Sequence, residues 1–400
     1  ADIAIINRKL HELYVSMDAL FDLYKNIDRN SIKAVRIISS LFNAMTAYSR
    51  SGAEEALKII GRELAKPASA SFLSTAVIGH AHIDTGWLWP IAETHRKVMR
   101  TFSSQIVNLD NYPEYIFGAS SPLHYEWVKT EHPRLFRKIK DAVASGRWEL
   151  LGGMWIEPDC NLVSGESLVR QILHGKNFFR KEFGKDVRTC WIPDSFGYPA
   201  SLPQILAKSG IRYFSTQKIS WSLSNQFPYD SFIWEGVDGS QVIAHFLPEH
   251  TYNSSGNFGS LLRAQENFLE KDRLDEFVTA LGIGDGGGGP KAEHIERVLL
   301  AHDTEGVPRA SFSAVEDFFD RLAMSMDKLS HYRGELYLEF HRGTYTSQAK
   351  NKRMNRVSEE ALKPIEALDV YHGGLFSNQI KDALHTMLTF QFHDILPGSS

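Results

Sequence analysis

Apolar residues recur at three- and four-residue spacing through the N-terminal part of the chain. Ile6, Leu10, Leu13, Met17 and Leu20 form one such stripe, the mark of an amphipathic helix. Ser31 is placed to cap a second helix that carries Ile32, Val35, Ile38, Leu41 and Met45 on one side. A third helix is predicted over 53–65, stopping before Pro67. The pattern predicts packing here and no chemistry.

From about residue 71 the period changes. Short apolar runs at 76–82, 148–151, 187–192, 213–216, 241–246, 278–283 and 336–340 read as strands. Helical patterns such as 168–179 and 202–208 lie between them. Alternation of this kind predicts βα units and a mainly parallel sheet or barrel. In such folds the polar residues just past the strand C-termini form the site. After Gly343 the pattern turns helical again, over 348–368 and 377–395, with Gly373-Gly374 between. Two antiparallel helices leave an apolar face in need of a third partner, so the chain reads as a portion of something longer.

Composition narrows the function classes. The chain of 400 residues is 43% hydrophobic, 12% aromatic and 23% charged, which suits a packed globular protein of two or three domains. Forty-four basic against 48 acidic residues leave a formal charge of −4, with no footprint for nucleic acid or an anionic membrane. No apolar run reaches the ~20 residues of a membrane span. Cys160 and Cys190 cannot build a disulfide framework, which favours a reducing, cytoplasmic compartment. Residues Ala1 to Arg8 carry no signal pattern, although a start at Ala leaves a processed precursor open.

Five segments could carry chemistry. In 79–90, GHAHIDTGWLWP, period-two alternation puts His80, His82 and Asp84 on one side of a strand end. Imidazole and carboxylate two residues apart suit a zinc ion, and equally suit a hydrogen-bonded polar turn. Asp194, between Pro193 and a turn bearing Gly197, is placed to ligate, to attack, or simply to cap the helix near Leu202. Gly284 to Pro290 sets Asp285 beside four glycines, which permit close approach of a ligand or make a plain turn. No Gly-Lys-Ser/Thr ending follows, which argues against a phosphate loop. Trp155 to Asp159 places two acids past a strand, and Phe392 to Gly398 places His393-Asp394 at the end of the last helix.

Taken together, six motifs resemble those of glycoside hydrolase family 38, the retaining α-mannosidases, and most closely its cytosolic or bacterial branch. They are GHAHIDTGWLWP (79–90), GGMWIEPD (152–159), WIPDSFGYPASLPQIL (191–206), GDGGGGP (284–290), EFHRGTYTSQAKNKR (339–353) and FQFHDILPG (390–398). The resemblance implies an α/β fold: a seven-stranded (β/α) barrel of the glycoside hydrolase/deacetylase type at 69–345. A helical segment at 1–68 precedes it, and the start of a helical bundle at 346–400 follows, with β-rich domains beyond. It also implies one Zn²⁺, or another divalent cation, held by His82, Asp84, Asp194 and His393. Asp194 would double as nucleophile, and Asp285 would be the acid/base. Trp87 and Phe196 would wall the sugar, while Asp159, Asp394 and Tyr345 would contact it. Lys218 stands where some relatives carry Arg, and His80 would lie behind the ligands.

The expected partner is an α-mannoside oligosaccharide, with a homo-oligomer allowed. Retention needs two carboxyl groups about 5–5.5 Å apart, one ionised and one protonated. A bound cation would keep Asp194 ionised, and Asp285 is expected to hold its proton. In the family, the metal binds the vicinal O2 and O3 of mannose. Two competing readings are a zinc-dependent carbohydrate deacetylase using a metal-bound water, and a folded but inactive fragment of a longer mannosidase.

Overall fold

The computed structural model describes residues 7–399, so Ile6 and most of the segment read for a signal lie outside the described residues. Three helices come first: α1 (Arg8–Asn26), α2 (Ile32–Ser51) and α3 (Ala53–Leu64). Asn7 and Ser31 cap the first two by accepting the backbone N–H groups of Leu10 and Ala34. The face that α2 buries is Ala34, Ile37, Leu41 and Ala44, whereas Ile32, Val35 and Met45 of the expected stripe are exposed. Two alanines let α2 lie close to its neighbours, so side-chain size misidentified the inward face.

The central region runs β1 (Ser74–His80), α4 (Ile91–Asn111), β2 (Phe117–Ala119), α5 (Pro122–Glu131), α6 (Pro133–Ala144) and β3 (Trp148–Leu150). It continues through α7 (Gly165–Phe183), β4 (Thr189–Trp191), α8 (Leu202–Lys208), β5 (Tyr213–Thr216), β6 (Ser231–Glu235) and β7 (Gln241–Phe246). Then come α9 (Phe258–Asn267), β8 (Glu276–Leu281), α10 (Ala292–Leu300), β9 (Arg309–Phe312), α11 (Val315–Ala323) and β10 (Ser330–Arg333). Helices α12 (Ala349–Tyr371) and α13 (Ser377–Phe390) end the chain.

The ladders make two five-stranded sheets, and no ladder joins them among the described residues. The first has the order β3-β2-β1-β8, all parallel, with β9 beside the opening half of β1 and β2 beside its last two residues. The second has the order β10-β6-β7-β5-β4, parallel except for the β6–β7 pair. Strands as short as β3 and β4 have few backbone groups with which to close a seam. Side chains join the sheets instead: Ala76, Ile78, Val278 and Ala280 share one buried cluster with Trp191, Tyr213, Ile233 and Ile243. His245 adds a polar link, since its Nδ1 meets Ser231 Oγ at 2.8 Å and its Nε2 accepts the Val278 N–H at 3.2 Å.

Three local expectations need correcting. The run at 336–340 is not a strand: Leu336 makes one bridge to Tyr198, and a 3₁₀ helix, Glu339–Tyr345, follows. Four short strands, β2, β6, β9 and β10, were not expected, because three to five residues give too little periodicity to read. Helix α13 stops at Phe390, so His393 and Asp394 lie in the turn beyond it rather than on the helix. No helix among the described residues is long and apolar enough to cross a membrane.

Candidate metal centre

The candidate residues follow the C-termini of strands. His82 and Asp84 come after β1, Glu157 after β3, Asp194 after β4, Lys218 after β5, Tyr252 after β7 and Asp285 after β8. Parallel strands deliver such residues to one end of the sheet, where successive loops can share a site.

His82, Asp84, Asp194 and His393 come together, each buried, with one donor atom apiece and all four atoms within 4.8 Å of one another. His82 Nε2 lies 2.8 Å from Asp84 Oδ1 and 3.5 Å from Asp194 Oδ2. His393 Nε2 lies 3.3 Å from Asp194 Oδ2 and 3.6 Å from Asp84 Oδ1. Donors ~2.0–2.2 Å from one ion stand about this far apart, and two imidazoles with two carboxylates suit Zn²⁺.

The surroundings fit a cation as well. His393 donates from Nδ1 to the Glu157 carbonyl at 2.8 Å, which leaves Nε2, buried and without a hydrogen-bond partner, facing the carboxylates. Burial alone would lower the His393 imidazole, yet the Asp194 and Asp84 carboxylates facing it outweigh that and raise it to about 10. His82 is likewise raised against burial, chiefly by the charges of Glu157 and Asp84. The cluster therefore draws positive charge in. Burial would also raise the Asp194 carboxyl, but the facing imidazoles of His393 and His82, with the charge of Lys218, hold it well below the usual range.

Lys218 Nζ stands 2.7 Å from Asp194 Oδ1, so the lysine pairs with the expected nucleophile. His80 turns away to the Tyr252 carbonyl at 2.6 Å, and burial pushes its imidazole down to about 4. Its Nε2 is thus taken up by the backbone, and it stands outside the four-residue cluster.

Asp285 sits half-buried at φ +55°, a left-handed conformation rare outside glycine. Its carbonyl accepts the Asp84 N–H at 2.8 Å, and Ile83 bridges to Gly286, so the glycine loop is stitched to the ligand loop. Helix α4 anchors that loop further: Thr101 Oγ1 accepts the Gly288 N–H, and Gln105 donates to the Gly288 and Pro290 carbonyls. A Cβ at Gly287 would lie 2.6 Å from Thr101 Oγ1, which is why a glycine stands there. This is a fixed loop.

Two residues at the cluster were given no role from the sequence. The Tyr252 hydroxyl donates to Asp285 Oδ1 at 2.7 Å and interacts with Asp194 too, so it stands between the expected acid and the expected nucleophile. Glu157 brings Oε2 to 3.0 Å from His82 Nδ1, while Ser120 donates to its Oε1 at 2.6 Å. Two acids in one short segment were the signal for Glu157. For Tyr252 the sequence offers none, because it lies in a loop without a motif.

The remaining expected residues fall at varying distance from the cluster. Phe196 is buried and sets its ring against His393 at 6.2 Å between centroids. Asp394 has Oδ2 3.9 Å from His393 Nε2, and burial raises its carboxyl to about 6. Asp159 gives Oδ1 to the backbone N–H groups of Asn161 and Leu162, so at least one oxygen serves a turn. The Tyr345 hydroxyl accepts from Asn161 Nδ2 at 2.8 Å, beside Gly197. Trp87 is half-buried and packs edge-on against Trp89.

Comparison with known proteins agrees with this geometry. Residues 73–335 match the model of the glycosyl hydrolases family 38 N-terminal domain, and residues 339–400 match that of the alpha mannosidase middle domain. The chain is 40% identical to Alpha-mannosidase G of Dictyostelium discoideum over 408 aligned positions, covering 100% of this chain and 38% of the relative. It is 36% identical to Alpha-mannosidase 2C1 of Homo sapiens, covering 100% of this chain and 39% of the relative. It thus spans under two-fifths of the length of these curated relatives. A crystal structure of an alpha-mannosidase from Enterococcus faecalis superposes with a TM-score of 0.70 at 18% identity, covering 82% of this chain and 39% of that one, a likeness of fold. On the matched span and the shared fold, the chain belongs to glycosyl hydrolase family 38.

Proposed function

We propose that this chain forms the catalytic region of a retaining α-mannosidase, which removes terminal α-linked mannose from oligosaccharides or mannosides by a zinc-assisted double displacement. The observation that carries the reading is the buried convergence of His82, Asp84, Asp194 and His393, with Asp194 also charge-paired to Lys218. A metal held by these four residues would supply a Lewis acid to the vicinal O2 and O3 of mannose, favouring a flattened ring near the oxocarbenium-like transition state.

The chain's own groups do the rest. Asp194, kept ionised by its neighbours, attacks C1 of the sugar, and Asp285 donates a proton to the departing glycosidic oxygen. Asp285 then takes a proton from water, whose oxygen attacks C1 and frees the Asp194 carboxylate. Tyr252, hydrogen-bonded to Asp285, fixes where that carboxylate points. Trp87 and Phe196 would bound the sugar, and Asp159, Asp394 and Tyr345 would meet its hydroxyls.

We further read 1–68 as a helical segment, 69–345 as the catalytic α/β domain and 346–400 as the start of a helical bundle. Seven of the ten strands, β1 to β5 with β7 and β8, would make up the (β/α) barrel, a reading supported by the His245 link between β7 and β8. A cytoplasmic setting is supported by Cys160 and Cys190, both buried and free.

The test is metal analysis joined to an aryl α-mannoside assay on the chain. Asp194→Ala should abolish turnover and weaken metal retention together, whereas Asp285→Asn should spare the metal. A fluorinated mannosyl donor should trap a covalent sugar on Asp194. A fully active Asp194→Ala chain overturns the assignment, and metal-dependent deacetylation without a trapped sugar would favour a deacetylase.

A further inference from the structure

A row of rings leads outward from the metal cluster. His393 faces Phe196 at 6.2 Å, Phe196 faces His341 at 4.7 Å, and His341 faces Trp221 at 6.3 Å between centroids. Exposure rises along it, from 0% at His393 and 5% at Phe196, through a half-buried His341, to 37% at Trp221. The far end is tied to the nucleophile as well: Lys218 Nζ lies 3.7 Å from the centre of the Trp221 ring and 2.7 Å from Asp194 Oδ1.

Trp221 is held in place despite its exposure. Its Nε1–H donates to the His250 carbonyl at 3.2 Å. The following residues are pinned by Glu339, which accepts from Ser222 Oγ at 2.8 Å and from the N–H groups of Leu223 and Ser224 at 2.5 and 2.7 Å. The same 3₁₀ segment carries His341, so one acidic residue fixes both rings relative to each other. A large aromatic surface left open usually moves or is covered by a partner. A rigid one beside a reacting carboxylate is preorganised for a flat, partly apolar ligand. The C–H face of a pyranose is such a ligand.

We infer that Trp221 and His341 form a second sugar subsite, which stacks the residue of an α-mannoside adjoining the mannose that is cleaved. The inference rests on the reading of the metal cluster as the mannoside site, and it adds where the chain takes preference for an oligosaccharide over a simple mannoside.

The test is calorimetric titration of the metal-loaded Asp285→Asn chain, in which turnover is stopped, with methyl α-mannoside and with the α-linked mannobioses. At least one mannobiose should bind about tenfold more tightly than the monosaccharide, the size of one good aromatic contact. Adding Trp221→Ala should bring that ratio close to one, His341→Ala should reduce it in part, and Trp221→Phe, which keeps a flat ring, should retain most of it. A ratio unchanged by Trp221→Ala, or no preference for any mannobiose while methyl α-mannoside binds, overturns the subsite alone. Failure of both sugars to bind overturns the mannoside reading, and the subsite with it.

Discussion

The Glu157 carboxylate stands 3.0 Å from Nδ1 of His82, on the side of the imidazole away from Asp84. The contact is charge-paired rather than an aligned hydrogen bond, since both atoms fall outside hydrogen-bond geometry. The same residue's carbonyl takes the Nδ1–H of His393 at 2.8 Å. Glu157 therefore sets the orientation of both candidate ligand rings, turning each Nε2 inward.

Replacing that carboxylate should cost metal rather than fold. Glu157→Gln keeps the acceptor for Ser120 and the backbone carbonyl, but removes the negative charge facing His82. We expect metal affinity to fall about 10- to 100-fold with the melting temperature little changed. Chelator competition measures the first and calorimetry the second; wild-type affinity in Glu157→Gln would refute the role.

Lys352 holds the turn that carries His393. Its ammonium reaches the carbonyls of Ser347, Leu396 and Pro397, three acceptors for three N–H groups. Lys352→Met strands those carbonyls in a half-buried site, at a cost of about 1–3 kcal/mol. Faster amide exchange confined to 391–398, with weaker metal retention, is the expected result. A turn exchanging as slowly as in the parent chain would count against it.

Gly175 lies inside α7 against the segment leading to Glu157. A Cβ there would overlap the Gly153 carbonyl and sit 2.7 Å from the Met154 carbonyl carbon. Alanine gains about 1 kcal/mol of helix propensity, but overpacking against backbone costs about 1–3 kcal/mol and has no flexible side chain to yield. Urea unfolding should show Gly175→Ala destabilised despite the better helix former.

Stability should decline in acid through His245. Burial pushes its imidazole down to about 3, and the neutral ring accepts the Val278 N–H. The unfolded ring titrates near ~6.5, so between these values the unfolded chain binds the extra proton. The contribution is intact above ~6.5 and is lost as pH falls below it. Urea midpoints at about pH 7 and about pH 5 should differ more for the parent chain than for His245→Gln, which is less stable at neutrality but flatter with pH.

Much of the organisation was legible from local pattern. Ser31 caps α2 as expected, α8 spans Leu202–Lys208, and β5 and β7 match their apolar runs. These depend on contacts within a few residues, which periodicity and capping chemistry record. The ligand set was reached differently, through six motifs and their likeness to a family, and the structure brings those four residues into one buried cluster.

What the sequence determined by itself was four residues that the structure gathers into one buried cluster and, mostly, which segments are helix or strand. The tertiary structure alone decided that the strands pair as two sheets, that Ala34 and Ala44 rather than Ile32 and Val35 face inward, and that Glu157 and Tyr252 belong to the centre. Each of these depends on partners far along the chain: Glu157 meets His393 across more than two hundred residues. Side-chain spacing encodes which way a residue points along its own element. What it meets there is set by how the other elements pack.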